Sequence, residues 1–297
     1  MWFPIQVLAV LFWAGVNVLD SLLVRQYRRS PIALMWHQSY FSMLLLATAA
    51  LTMHVSASWM FPLFLVGVCA YVGDLVFFAT LKRIDVSVTN IAWEILSVLL
   101  SIGGFVWFGE SWSPRQTAGV LLVLISILLL SLWQKRVGGG VALLLLPALA
   151  VLYAPFYVIQ KAALIGGDGI VPVFFWSLVG RETVSFALPL MIPSLRRHVI
   201  GAARGADPRF FIINASVVAL FFLATYLTTM AFLLGPISLV SVIGNVQPFF
   251  VLFLAGMTIR FFPSWAPTEL IDSGPVAVKV GCFFVAFLGL ALIAVPQ

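Results

Sequence analysis

The chain has 297 residues, 63% of them hydrophobic and 9% charged, with a formal net charge of +6. A soluble domain carries roughly a quarter charged residues, and no water-soluble packing could hide this much apolar surface, so the class is a polytopic membrane protein. The basic residues stand singly or in pairs between apolar runs, which excludes a nucleic-acid surface, and the two cysteines, Cys69 and Cys282, lie inside such runs and suggest neither a disulfide frame nor a metal site.

A helical span needs about 20 apolar residues. Runs of that kind fall at roughly 2–24, 32–53, 60–81, 86–108, 117–134, 141–160, 170–193, 210–233, 237–259 and 276–296, which predicts an all-α protein of ten transmembrane helices. The first run has no basic segment ahead of it and reads as a retained span, not a cleaved signal. The runs are about twice the length of a barrel strand and do not alternate, which excludes a β-barrel. Arg25 to Pro31 links the first two spans, and Pro31 suits a helix start. Lys135-Arg136, followed by three glycines, forms a joint at mid-chain, and the longest link, Ser194 to Arg209, is polar and basic.

Ser111-Trp112-Ser113-Pro114 and Ser264-Trp265-Ala266-Pro267 lie 153 residues apart, each between a long apolar run and the last run of its half. This predicts two repeats, 1–137 and 138–297. Five spans in each make the second repeat inverted relative to the first, as in many secondary transporters. Thirteen Lys and Arg residues fall on the side opposite the N-terminus, against Arg115 and Lys161 on the N-terminal side. The positive-inside rule then places both termini outside the cytoplasm, in what we expect to be a bacterial inner membrane.

Several segments resemble the EamA-like branch of the drug/metabolite transporter superfamily over nearly the whole chain. They are Trp13-Ala-Gly-Val-Asn17, Phe108-Gly109-Glu110 with Gln116-Thr-Ala-Gly119, Met230 to Ser238, and Val246-Gln247-Pro248. Phe262-Pro263 replaces the second Gly-Glu pair, and Trp93, Glu94 and Ile95 stand where span four would carry a proline. The resemblance implies a five-plus-five inverted-repeat carrier of small organic solutes. It also implies cytoplasmic termini, opposite to the charge count.

Charge within a membrane is costly, so ionisable residues in spans are candidate site residues. They are Asp20, His37, Asp74, Glu94, Arg181 and Glu182. Glu94 leads, because Asn90, Glu94, Ser97 and Ser101 form one polar helical stripe with Trp93 beside it. The 153-residue offset sets Gln247, next to Asn245, against Glu94. Asp74 reads as a site or gate residue or as a helix-packing hydrogen bond. Asn17, Asp20 and Trp13 share a face of the first span, and Asp20, near the span's end, suits a lip, a pair with Arg25 or the site. His37 reads as a satisfied neutral histidine or a gate or proton relay. Arg181 and Glu182 point about 100° apart on a helix, so each needs another partner. For Arg181 that partner is a substrate carboxylate or an acid on another span. Tyr153 and Tyr157 supply aromatic faces for an organic cation or simply pack. Glu110 is expected to cap span five.

The chain has no Walker A loop, HExxH or GxSxG, so neither ATP drive nor an enzyme is expected. No cofactor is expected, and the expected partners are membrane lipid, a small solute and protons. The reading that follows is a proton-coupled secondary transporter of an amine-bearing metabolite such as an amino acid. Glu94 and Asp74 would hold the ammonium or exchange a proton, and Arg181 would hold the carboxylate. The alternatives are a carrier of choline-like or lipophilic cations and, in another class, a passive channel or lipid flippase.

Overall fold

The computed structural model describes residues 1–26, 30–81, 91–133, 140–204, 207–261 and 276–294. Asn90 and the second Ser-Trp-x-Pro segment lie outside them. The described residues are helices and short connections, without strands. The helices are α1 (Trp2–Gln26), α2 (Pro31–Thr52), α3 (Met60–Leu81), α4 (Ile91–Phe108), α5 (Pro114–Trp133), α6 (Gly140–Ile165), α7 (Ile170–Met191), α8 (Pro193–Arg204), α9 (Pro208–Leu234), α10 (Ile237–Gly244), α11 (Gln247–Phe261) and α12 (Val276–Ala294). Among the described residues six segments are long and apolar enough to cross a membrane, within α1, α3, α6, α7 and α9 and across the α10–α11 pair. The segment predicted as a polar link after Ser194 is largely helix α8, whose Val199 and Ala202 are buried with Ala33 of α2 while Arg196 and Arg197 stay exposed.

Local chemistry sets the helix starts. Ser30 and Asp207 each precede a proline, and their side-chain oxygens accept the N–H of Ala33 at 3.2 Å and Phe210 at 2.8 Å. Ser113 and Gln116 exchange bonds at the start of α5: the Ser113 N–H donates to Gln116 Oε1 at 2.9 Å and the Gln116 N–H to Ser113 Oγ at 3.2 Å. This capping box leaves Glu110 free of the role expected for it. At the end of α4, Gly109 takes a φ of 62°, which turns the Glu110 N–H back to Gly104 O at 3.0 Å. In the α6–α7 turn, Asp168 accepts from the Ser58 N–H and hydroxyl and from the Trp59 N–H, tying that turn to the start of α3. Partial burial pushes its carboxyl up, but these three donors win and hold it below the ordinary carboxylate value.

The helices pair along distinct seams. α1 lies along α9, α3 lies against both α6 and α7, and α5 lies along α12. α4 meets α10 and α6, α2 meets α7, and α11 meets α1. Lipid offers no hydrophobic drive for helix association, so close approach at small residues does much of the work. A Cβ built on Gly180 would lie 1.9 Å from Phe64 O, and one on Gly67 would lie 2.2 Å from Ser177 O, so α3 and α7 nearly touch backbones. Gly119 and Gly289 do the same for α5 and α12, each Cβ falling 2.6 Å from the other residue's carbonyl oxygen.

The ninth apolar run is broken. α10 stops at Gly244, and the Asn245 and Val246 N–H groups return to Val242 O and Ile243 O at 3.0 and 3.1 Å. Pro248 has no N–H for the Gly244 carbonyl, so the α-helical ladder cannot run through. The break faces the middle of the bundle.

Candidate solute-binding cavity

Between these helices lies a cavity of about 110 Å³, bordered mainly by α1, α3, α4, α6, α9 and α10. α1 gives it one continuous face, with Gln6, Val10, Trp13, Asn17 and Asp20 at helical spacing. From Gln6 to Asp20 is about 21 Å at 1.5 Å per residue. On α9 the lining runs from Val217 to Phe232, about 22 Å by the same rise. The cavity is therefore a slot along the α1–α9 seam.

One end is acidic. Asp20 is 4% exposed and accepts from Gln38 Nε2 at 2.8 Å. Asp74 is bound on both oxygens: the Tyr153 hydroxyl donates to Oδ1 and Arg181 Nε donates to Oδ2. Arg181 Nη1 donates to Glu182 Oε1, and its guanidinium carbon sits 4.2 Å from the Phe221 ring centre. Ser42 is hydrogen-bonded to Glu182. The glycine-tight α3–α7 seam makes the Asp74–Arg181 pair possible, since Arg181 follows Gly180 directly and Asp74 stands two turns beyond Gly67. Asp74 and Glu182 thus share one guanidinium, and among the described residues Asp20 is held by the Gln38 amide; the Arg25 side chain expected as its partner lies outside the described side chains.

The other end is neutral. The Ser97 hydroxyl has one proton, which it donates to Glu94 O at 2.9 Å. The group 2.6 Å from Ser97 Oγ must therefore be a donor, which fixes it as Asn245 Nδ2. That orientation leaves Asn245 Oδ1 buried without a protein partner, as are Gln6 Oε1, Asn17 Nδ2 and Trp93 Nε1. All four residues line the slot.

Beside the neutral end, the turn between α9 and α10 is clamped by charge. Lys161, 8% exposed, donates to Phe232 O at 2.6 Å and Gly235 O at 2.9 Å. Glu110 accepts the Ile237 N–H at 2.7 Å and the Ser238 N–H at 3.0 Å, and Trp112 Nε1 donates to Ser238 Oγ at 2.9 Å. An ammonium on the last carbonyls of α9 and a carboxylate on the first N–H groups of α10 each oppose the local helix-end charge.

Of the residues singled out from sequence, Asn17, Asp20, Asp74, Trp93, Tyr153, Tyr157, Arg181, Asn245 and Gln247 line the slot. Glu94 does not. It lies half-buried in the first turn of α4, while Ser97 on the same stripe reaches the cavity and Ser101 is buried one turn further on. Within the described part of that stripe, Ser97 and not Glu94 meets the helix break, through Asn245. Glu182 is buried beneath Arg181 and outside the lining. The 100° separation does not keep it from Arg181, because the long arginine side chain reaches both its neighbour and Asp74. His37 is buried away from the slot, its Nδ1 2.5 Å from Ala33 O and its ring edge-on to Phe210. Gln6, Gln38 and Ser42 line the slot and were missed. Their spacing carries the signal: Gln6 shares the Trp13–Asn17–Asp20 face, and Gln38 and Ser42 stand one turn apart.

Residues 2–132 match the model of the EamA-like transporter family. No curated protein matches the chain. Among solved structures 28 chains match. One, described as "Crystal structure of protein", aligns with a TM-score of 0.71 at 16% identity, covering 99% of this chain and 96% of that one. At that identity the likeness carries the fold.

Proposed function

From the match of residues 2–132 to the EamA-like transporter family model, we propose that this membrane protein is a secondary carrier. It moves a small amine-bearing organic solute by alternating access and exchanges a proton at the same site. Its two five-span halves, 1–137 and 138–297, are inverted repeats, with α10 and α11 together forming the ninth of ten spans. The seams support this, since exchanging the halves leaves their pattern unchanged. α1 on α9 answers α6 on α3, α4 on α6 answers α10–α11 on α1, and α2–α7, α4–α10 and α5–α12 pair each span with its own counterpart.

The observation that carries the solute class is Asp20. Asp74 has its charge engaged by Arg181, whereas Asp20 is a buried carboxylate on the cavity wall whose hydrogen-bond partner among the described residues is the neutral Gln38 amide. A buried charge without a counter-charge is costly, so Asp20 requires a proton or a cation. A carrier in which the two compete for one carboxylate is an amine–proton exchanger. Arg181, spent on Asp74 and Glu182, is poorly placed to serve as the carboxylate clamp expected from sequence. An amine fits this site better than an amino-acid zwitterion. The aromatic wall of Trp13, Trp93, Tyr153 and Phe221 favours the second reading, a quaternary ammonium held by cation–π contact.

Binding measured by thermal shift with the purified protein, for amines, amino acids and quaternary ammoniums at two pH values, separates these readings. Primary amines are expected to stabilise the protein, more so at the higher pH, where fewer protons compete for Asp20. Asp20→Asn is expected to remove that stabilisation and pH-dependent uptake into proteoliposomes while the protein still folds. Unchanged pH-dependent uptake by Asp20→Asn defeats the proposal.

A further inference from the structure

The slot is longer than an ammonium site requires, and its two ends differ chemically. The acidic end has carboxylates. At the other end Asn245 lines the cavity, and its Oδ1 is a buried acceptor without a partner, because Ser97 fixes the amide's orientation. Gln6 Oε1 is a second buried acceptor without a partner, and both residues are nine-tenths or more buried. Gly244, also on the wall, has a carbonyl to which Pro248 offers no N–H. Buried acceptors left unpaired are destabilising, and here they belong to residues that line one cavity.

We infer that the slot recognises its solute at both ends: an ammonium at Asp20, and a hydrogen-bond donor, such as a hydroxyl, amide N–H or second amine, at Asn245 and Gln6. This rests on the amine reading above and narrows it. The preferred solutes are elongated amines with a distal donor, such as amino alcohols and diamines, and simple alkylamines are poorer ligands. Trp13, Phe221 and Phe77 line the stretch between and suit an aliphatic chain.

The test uses the purified full chain and calorimetric or thermal-shift binding of straight-chain amino alcohols from four to ten carbons, beside alkylamines and diamines of equal length. Above a threshold length the amino alcohol is expected to bind about three- to tenfold more tightly than the matching alkylamine, the effect of one or two hydrogen bonds. Asn245→Leu and Gln6→Leu should each shrink that ratio toward one. Asp20→Asn should weaken all the probes together. Two variants guard against one that folds poorly, and each one's melting without ligand is measured alongside. Alkylamines binding as tightly as amino alcohols at every length overturns the two-ended slot, as does a ratio unmoved in both folded variants. If the ratio persists while Asp20→Asn binds every probe as the parent does, the amine assignment at Asp20 fails and the distal site stands. If no probe binds, both fall.

Discussion

Glycines bring α3 against α7 and α5 against α12 to backbone contact, yet the two seams hold very different material. Beside Gly119 and Gly289 the α5–α12 seam is lined by Val123, Ala286, Leu290 and Ile293. The α3–α7 seam holds Asp74 and Arg181, with Glu182 behind them. The same close approach serves as dry scaffold in one place and forces an ion pair together in the other. Small residues set how near two helices come, and the side chains standing a turn or two beyond them decide what the nearness is used for.

The largest expected effect comes from forcing the charged seam apart. Gly180→Ala places a Cβ 1.9 Å from a backbone oxygen with nothing flexible to yield, whereas Gly119→Ala meets one at 2.6 Å. Overpacking typically costs about 1–3 kcal/mol. Gly119→Ala should fall in that range and Gly180→Ala beyond it, as loss of the monodisperse peak in size-exclusion chromatography. Equal yields and melting temperatures would erase the distinction between the seams. Next is Arg181→Met, which keeps the seam's packing and strands Asp74 and Glu182 without a cation. Its expected cost is about 3–5 kcal/mol, read from thermal melting, and Asp74→Asn/Arg181→Met should recover part of it. The smallest effect is expected at the α9–α10 clamp. Glu110→Gln retains an oxygen for one N–H and loses charge assistance to both, a cost of about 1 kcal/mol. A loss as large as that of Arg181→Met would mean that the clamp, too, is a buried charge site.

Much of this was legible in the sequence. Apolar run lengths gave the helices, and the positions of Ser30-Pro31, Asp207-Pro208 and Ser113-Pro114 marked starts that the structure uses. Burial cost pointed to Asp74 and Arg181, and the pairing of Arg181 with an acid on another helix was one of the two readings left open. Depth along a helix was readable, but direction around it was not. Glu94 and Ser97 share a stripe, and only the packing of α4 on α10 decides which of them reaches the cavity. The tetrapeptide spacing of 153 residues set Glu94 against Gln247, whereas the cross-half hydrogen bond joins Ser97 to Asn245, 148 apart. The spacing does not carry over to the residues that meet, because the chain is interrupted between Gly244, where α10 ends, and Gln247, where α11 begins. Gln6 and Gln38 escaped notice because an amide carries no burial alarm until its partners are known.

The break at Asn245 also decides what moves with what. α10 is eight residues long, and both of its ends are tied to the first half. Glu110 and Trp112 hold its beginning, and Ser97 holds the residue at its end. On the inverted-repeat proposal, α10 is encoded in one repeat and moored to the other. A rocking motion that separates the repeats would have to cut those moorings or carry α10 along with α4, shearing the chain at its turn. On that proposal the mechanical boundary runs through the break at Asn245 and not through the joint near residue 137.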